Sequence, residues 1–203
     1  STYFQDNFND NDISDWIVAR NMQWLDPPSP CLYQGNPTTW KAENGRVGVK
    51  IDGPGCVTEL IPNNFNLIEG AGYSYSFEME FTNTVSADRN VIFKYLDSSN
   101  WYDLKFYDST MWFQKVVGDY YRVESTLYPF QDNQTYHFRI ELSDNRIKVF
   151  VNDVQVWELA DSSPYFSGGT IGFQASVGAD PNSEVWFDNV VVRSLDPTPT
   201  PTP

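Results

Sequence analysis

The sequence contains one histidine and two cysteines among 203 residues. It therefore has no metal cluster of the histidine or cysteine type. A Cys–His nucleophilic pairing finds no support, and there is no Gly-x-Ser-x-Gly element. The lone His137 falls on the polar face of its segment. Basic residues are scarce: 13 lysines and arginines against 27 aspartates and glutamates, a net charge of −14. A surface of that sign repels phosphate backbones and anionic lipid, which excludes nucleic acid and acidic membranes as main partners. Neutral sugars and cations remain. No apolar run approaches the roughly 18 residues of a membrane helix, so membrane insertion is not expected. The start lacks the basic and apolar regions of a secretion signal, so the chain reads as a mature or internal piece of something longer. No segment carries a helical period with caps, and no repeat of roughly 20–50 residues is visible.

Aromatic residues are plentiful: 7 Trp, 12 Tyr and 14 Phe, within an apolar share of 40%. That supplies a sizeable core and rules out wholesale disorder. The length suits one large all-β domain or at most two small ones. In Tyr73–Phe81, the residues Tyr73, Tyr75, Phe77, Met79 and Phe81 alternate with serine and glutamate. That is the pattern of a half-buried strand. Residues 91–96, 102–107, 111–117 and 136–142 continue the series. A hairpin follows, 146–151 and 154–159 about an Asn152-Asp153 turn, and then strands at 170–176 and 184–193. Short strands separated by Gly, Asn, Asp and Ser predict an all-β sandwich of two antiparallel sheets. The first 70 residues, broken by Pro27, Pro28, Pro30, Pro37, Pro54 and Pro62, read as short strands and long loops.

Cys31 and Cys56 lie beside proline and glycine in loop-like stretches. The even count points to one disulfide and an oxidising compartment, the other option being two separate buried thiols. In the chain-entropy account such a bond contributes about 3 kcal/mol. From Asp196 the chain reads DPTPTPTP, an extended polyproline-type linker or tail. Such linkers suit secreted, multi-modular or cell-surface proteins, and Thr198, Thr200 and Thr202 are candidate O-glycan acceptors. The boundaries are thus a sandwich over 1–195 and a tail over 196–203.

Three stretches carry a family likeness. Phe4–Trp16 resembles the opening of concanavalin A-like (laminin G-type) domains of bacterial secreted proteins. Tyr136 through Trp157 to Gly169-Thr-Ile-Gly-Phe173 resembles their late hairpin and the strand after it, and Trp186–Arg193 their last strand. The resemblance implies a two-sheet antiparallel jelly roll, one sheet concave and one convex. It also implies neighbouring first and last strands, tied in many members by calcium between the N-terminal turn and a C-terminal aspartate. Here Asp6, Asp10 and Asp188 match, with Asn9 and Asp12 nearby. Such a calcium would be structural. Asp188 interrupts an apolar run, so a partner is expected for its carboxylate; simple turn chemistry is the alternative.

The family includes glycosidases, carbohydrate-binding modules, lectins and plain adhesion domains, so the fold leaves function open. Family glycosidases resemble one another in Glu-x-Asp-x-x-Glu on one strand. The nearest match, Glu78-Met-Glu80, is followed by Thr82 and Asn83 and lacks the third acid. These glutamates read as solvated acids on a sheet face, and no catalysis is expected. For sugar recognition the strand bearing Trp101, Asp103, Lys105 and Tyr107 offers a wet face with an aromatic platform, with Trp112, Tyr120 and Tyr121 in the adjacent hairpin. Trp24 and Trp40 lie in the irregular N-terminal part, while Trp16, Trp157 and Trp186 are assigned to the core. Two functions are consistent with this. One is a non-catalytic extracellular carbohydrate-binding domain. The other is a structural subunit of a fibre or adhesive stalk, linked to neighbouring copies of itself through a glycosylated tail.

Overall fold

The computed structural model describes residues 1–23, 28–53, 55–81, 88–143, 145–162, 164, 168–177 and 183–195, with the backbone alone at 120–122, 177 and 183. Strands in chain order are β1 (Thr2–Asp6), β2 (Trp16–Gln23), β3 (Leu32–Tyr33), β4 (Asn36–Pro37), β5 (Lys41–Glu43), β6 (Arg46–Ile51), β7 (Cys56–Pro62), β8 (Tyr73–Phe81) and β9 (Asp88–Asp97). They continue with β10 (Asn100–Tyr107), β11 (Thr110–Val117), β12 (Asp119–Leu127), β13 (Gln134–Ser143), β14 (Arg146–Val151), β15 (Val154–Ala160), β16 (Thr170–Val177) and β17 (Ser183–Ser194). Among the described residues there is no helix long and apolar enough to cross a membrane.

Two antiparallel sheets account for nearly all of these strands. An eight-stranded sheet runs β15-β14-β13-β8-β17-β6-β5, with β1 paired beside β17. A seven-stranded sheet runs β12-β11-β10-β9-β16-β7-β2. The expected jelly-roll sandwich is the observed one. Alternation sets the faces: Tyr73, Tyr75, Phe77, Met79 and Phe81 of β8 are buried, and Ser74, Ser76, Glu78 and Glu80 are only partly covered. Asn152 and Asp153 adopt positive φ, as their hairpin requires. Between the sheets, Phe173 of β16 stacks on Phe187 of β17 with ring centroids 3.9 Å apart. Phe77 stacks on Phe138, and Phe106 meets Phe138 edge-on. Cys31 and Cys56 form the expected disulfide, Cα–Cα 5.4 Å, which ties the segment before β3 to the start of β7.

The tryptophans divide differently from the sequence expectation. Trp16 and Trp157 lie in the inter-sheet core, and so does Trp40, whose indole N–H donates to Thr58 at 2.9 Å. Trp186 is buried on the opposite, outer face of the eight-stranded sheet. Val185 and Phe187 take the inward positions of β17, and strand alternation turns Trp186 outward. The Arg46 guanidinium covers its ring at 4.4 Å, and Gly48 lies beneath it. A methyl group at position 48 would overlap both the Trp186 ring and the Val185 carbonyl oxygen. Gly48→Ala is therefore expected to cost about 1–3 kcal/mol, the usual penalty of overpacking. An unchanged urea midpoint would show that this close approach carries no weight.

Candidate functional site

The seven-stranded sheet has two dissimilar faces. Its inner face supplies Val91, Phe93, Tyr102, Leu104, Phe106, Phe113, Ile171 and Phe173 to the main core. On its outer face, Ile61, Ile92, Tyr95, Trp101 and Val116 make a small separate cluster. Beside that cluster, strand pairing sets six residues in one row, each opposite the next: Trp112 on β11, Lys105 on β10, Asn90 on β9, Gln174 on β16, Glu59 on β7 and Arg20 on β2. A neighbouring row holds Gln114, Asp103, Ile92 and Gly172.

Most of these polar side chains are buried and bonded to one another. Asp103 Oδ2 accepts from Trp101 Nε1 at 2.9 Å and from Asn90 Nδ2 at 3.0 Å. Glu59 accepts from Gln174 Nε2 at 2.8 Å and from the Tyr95 hydroxyl at 3.3 Å, with the Arg20 guanidinium 3.5 Å away. Lys105 pairs with Asp88 at 2.6 Å, and Ser176 Oγ donates to the same carboxylate. Burial pushes the Asp103 carboxyl up to about 6, against the opposing hydrogen bonds from Asn90 and Trp101 and the Lys105 charge; the negative charge of Glu59 adds to the rise. Burial likewise raises Glu59, opposed by Gln174, Arg20 and Tyr95. Burial and then Glu59 raise Tyr95. Two carboxyls on one sheet face thus hold protons more tightly than free acids do.

Sequence reasoning found part of this face. Trp101, Asp103, Lys105 and Tyr107 do share one side of β10, and Trp112 stands opposite Lys105. The expected wetness is corrected at two positions. Trp101 is 1% exposed and Asp103 0%, because Trp101 fills the outer cluster and Asp103 lies within the network beside it. Lys105 and Trp112 are partly exposed and Tyr107 is 39% exposed, so the accessible rim lies at this end of the row. The reading missed Glu59, Asn90, Gln174 and Arg20. Their one sequence signal was a lone polar residue within an apolar stretch, as Gln174 stands in TIGFQAS. Trp24 lies outside the described residues, as do the side chains of Tyr120 and Tyr121.

The other candidates fall elsewhere. Glu78 and Glu80 lie on the outer face of the eight-stranded sheet, partly exposed, with Glu80 paired to Arg46. The N-terminal turn does lie against the last strand, with Asp6 opposite Val190. Between them is a recess of about 400 Å³ lined in part by Asp6, Asp10, Asp12, Asp15 and Asn189. These carboxylates serve the turn. Asp6 accepts from the Phe8 N–H at 2.8 Å and from Trp16 Nε1 at 2.7 Å, and Asp10 accepts from the Asp12 N–H at 3.0 Å. Asp188 accepts from the Asn189 N–H at 2.6 Å, and burial raises its carboxyl. Among the described residues no three His, Cys, Asp or Glu side chains gather as a metal ligand set. Thr198, Thr200 and Thr202, with the whole tail 196–203, lie outside the described residues.

The pattern of the 3-keto-alpha-glucoside-1,2-lyase-like domain covers residues 3–193. The chain belongs to that family. Among curated proteins no relative matches it. Solved structures share its fold at low identity. A carbohydrate-binding module from Bacillus subtilis superposes with a TM-score of 0.65 at 18% identity, covering 90% of this chain and 98% of that one. A Bacillus licheniformis beta-glucanase gives 0.68 at 15%, covering 95% and 97%. A Bacillus subtilis protein of unknown function with a galectin-like fold gives 0.68 at 9%, covering 95% and 96%. At such identities the likeness establishes the concanavalin A-like jelly roll and nothing further.

Proposed function

We propose that this domain binds a carbohydrate on the outer face of its seven-stranded sheet. The observation that carries the reading is the continuous row from Trp112 to Arg20, in which an aromatic ring at the open end leads into amide, carboxylate and cationic groups. An amphipathic ring suits a pyranose face, and convergent polar groups suit its hydroxyls. The family is described as 3-keto-alpha-glucoside-1,2-lyase-like, and the structural neighbours include a carbohydrate-binding module and a glucanase, which supports the same ligand class. The Cys31–Cys56 bond supports a setting outside the reducing cytosol. Retardation in gels cast with neutral polysaccharides tests the proposal. Trp112→Ala is expected to weaken retention about tenfold, the equivalent of one lost stacking contact of about 1.4 kcal/mol. Equal retention by wild type and variant would move the site away from this row.

One observation favours a second reading, chemistry on the bound sugar: Glu59 and Asp103 are both buried on this face with raised proton affinity. A carboxyl held near neutrality is suited to proton transfer. Sugar release that disappears in both Glu59→Gln and Asp103→Asn would establish it, and a bound glycan recovered intact would remove it. The fibre-subunit alternative draws on the tail at 196–203, outside the described residues, and on the expected absence of catalytic acids.

A further inference from the structure

Two acceptors in the outer face have no donor among the described residues. Asp103 Oδ1 and Asn90 Oδ1 are both buried, and both lack a hydrogen-bond partner among the described residues. Their companion atoms are occupied, since Asn90 Nδ2 donates to Asp103 Oδ2 and Trp101 Nε1 donates to the same oxygen. That bond also fixes the Asn90 amide. Turning it over would set its carbonyl oxygen against the Asp103 carboxylate, acceptor against acceptor. Asn90 must therefore present an acceptor, and Asp103 presents a second one on the adjacent strand. Folded proteins rarely leave such atoms unpaired, so the pair calls for two donors from outside. Neighbouring hydroxyls of a sugar supply them. A carboxylate or sulfate brings further acceptors, and its charge would sit beside Asp103 and Glu59 where water screens poorly. Lys105 and Arg20 offset this only in part, because the ammonium is held by Asp88 and the guanidinium lies against Glu59.

We infer that Asn90 and Asp103 form a hydroxyl-reading pair that selects an uncharged sugar with two adjacent free hydroxyls and rejects sulfated and uronic sugars. The inference rests on the binding function proposed above and names the ligand class of that site. Neither acceptor is exposed, so entry of the hydroxyls requires the side chain of Lys105, partly exposed and flanking both residues, to move aside.

The test is affinity electrophoresis of the whole domain in gels containing dextran, mannan, xylan or laminarin, with dextran sulfate and polygalacturonate as anionic probes. Wild type is expected to be retarded by at least one neutral polymer, at least tenfold more strongly than by either anionic one. Asp103→Asn keeps an oxygen toward Asn90 and Trp101 but turns an amide N–H₂ toward the ligand. It is expected to lose at least tenfold in neutral-polymer affinity. Trp112→Ala is expected to weaken binding without altering the neutral-to-anionic ratio. Three results would overturn the inference while leaving sugar binding in place. They are anionic polymers bound as well as neutral ones, Asp103→Asn with wild-type affinity, and an unchanged neutral affinity with Asp103→Asn altered only in stability, as expected if the acceptors merely hold ordered water. The first needs no variant and so does not depend on how Asp103→Asn folds. No retardation of wild type by any probe would remove the binding function itself, and this inference with it.

Discussion

Phe173→Ala is expected to lower the free energy of unfolding by about 3–5 kcal/mol. Phe173 has no exposed surface and sits on β16, an inner strand of the seven-stranded sheet. Its ring stacks on Phe187 of the facing sheet and lies against Trp16, Tyr75 and Phe77, with centroids between 3.9 and 6.2 Å. One side chain thus joins β16 to β17, β8 and the start of β2. Removing it leaves a cavity walled by rigid aromatic rings on paired strands, which cannot close in to fill the space. The cost should fall at the upper end for that reason. Urea unfolding monitored by tryptophan fluorescence measures it, with the slope expected to match wild type. A loss below about 1 kcal/mol would mean that the two sheets are not locked together at this ring.

Asp103 sets the second large effect, and its sign follows from linkage. The carboxyl rises from its ordinary 3.8 to about 6 on folding, chiefly through burial. Between those values the native state holds a proton that the unfolded chain has released. Stability from this group is complete below pH 3.8 and is lost as pH rises to about 6. The full difference amounts to about 3 kcal/mol. Asp103→Asn carries no titrating proton, so its stability should lack this fall and exceed wild type at pH 7 by up to that amount. Glu59 shifts in the same direction, so part of the slope should persist in the variant. Urea titrations of both proteins from pH 4 to 7 decide the matter, and parallel curves would show that Asp103 is not a buried, proton-holding group. The same substitution is expected to weaken sugar binding, which separates what this carboxylate does for the ligand from what it costs the fold.

The sandwich was legible because most strands bury only one side. Alternation in β8 and β13 marks the inner residues directly, and the Asn152-Asp153 pair marks the hairpin. β7 was not legible as a strand, since all seven of its residues are buried and no alternation survives. That concealment hid Glu59, whose polar neighbours come from strands distant in sequence. Gln174 reaches it across 115 positions. The same limit explains Trp101 and Asp103. Period two assigned them to the correct face of β10, but the cover over that face comes from Ile61, Ile92, Tyr95 and Val116, and local pattern does not reveal it. Trp186 shows the converse. Its burial was expected, but the cover is the Arg46 guanidinium on the outer surface and not the inter-sheet core.

The proposed sugar site is the outer face of the seven-stranded sheet. Backbone amide NMR, recorded while a retained neutral oligosaccharide is titrated in, tests it most directly. Shifts are expected to concentrate on β7, β9, β10, β11 and β16, strongest about Asn90, Asp103, Lys105 and Trp112, with the Trp112 indole proton moving among the earliest. Shifts centred instead on β6, β8 and β17, the strands bearing Arg46, Glu80 and Trp186, would contradict the proposed site.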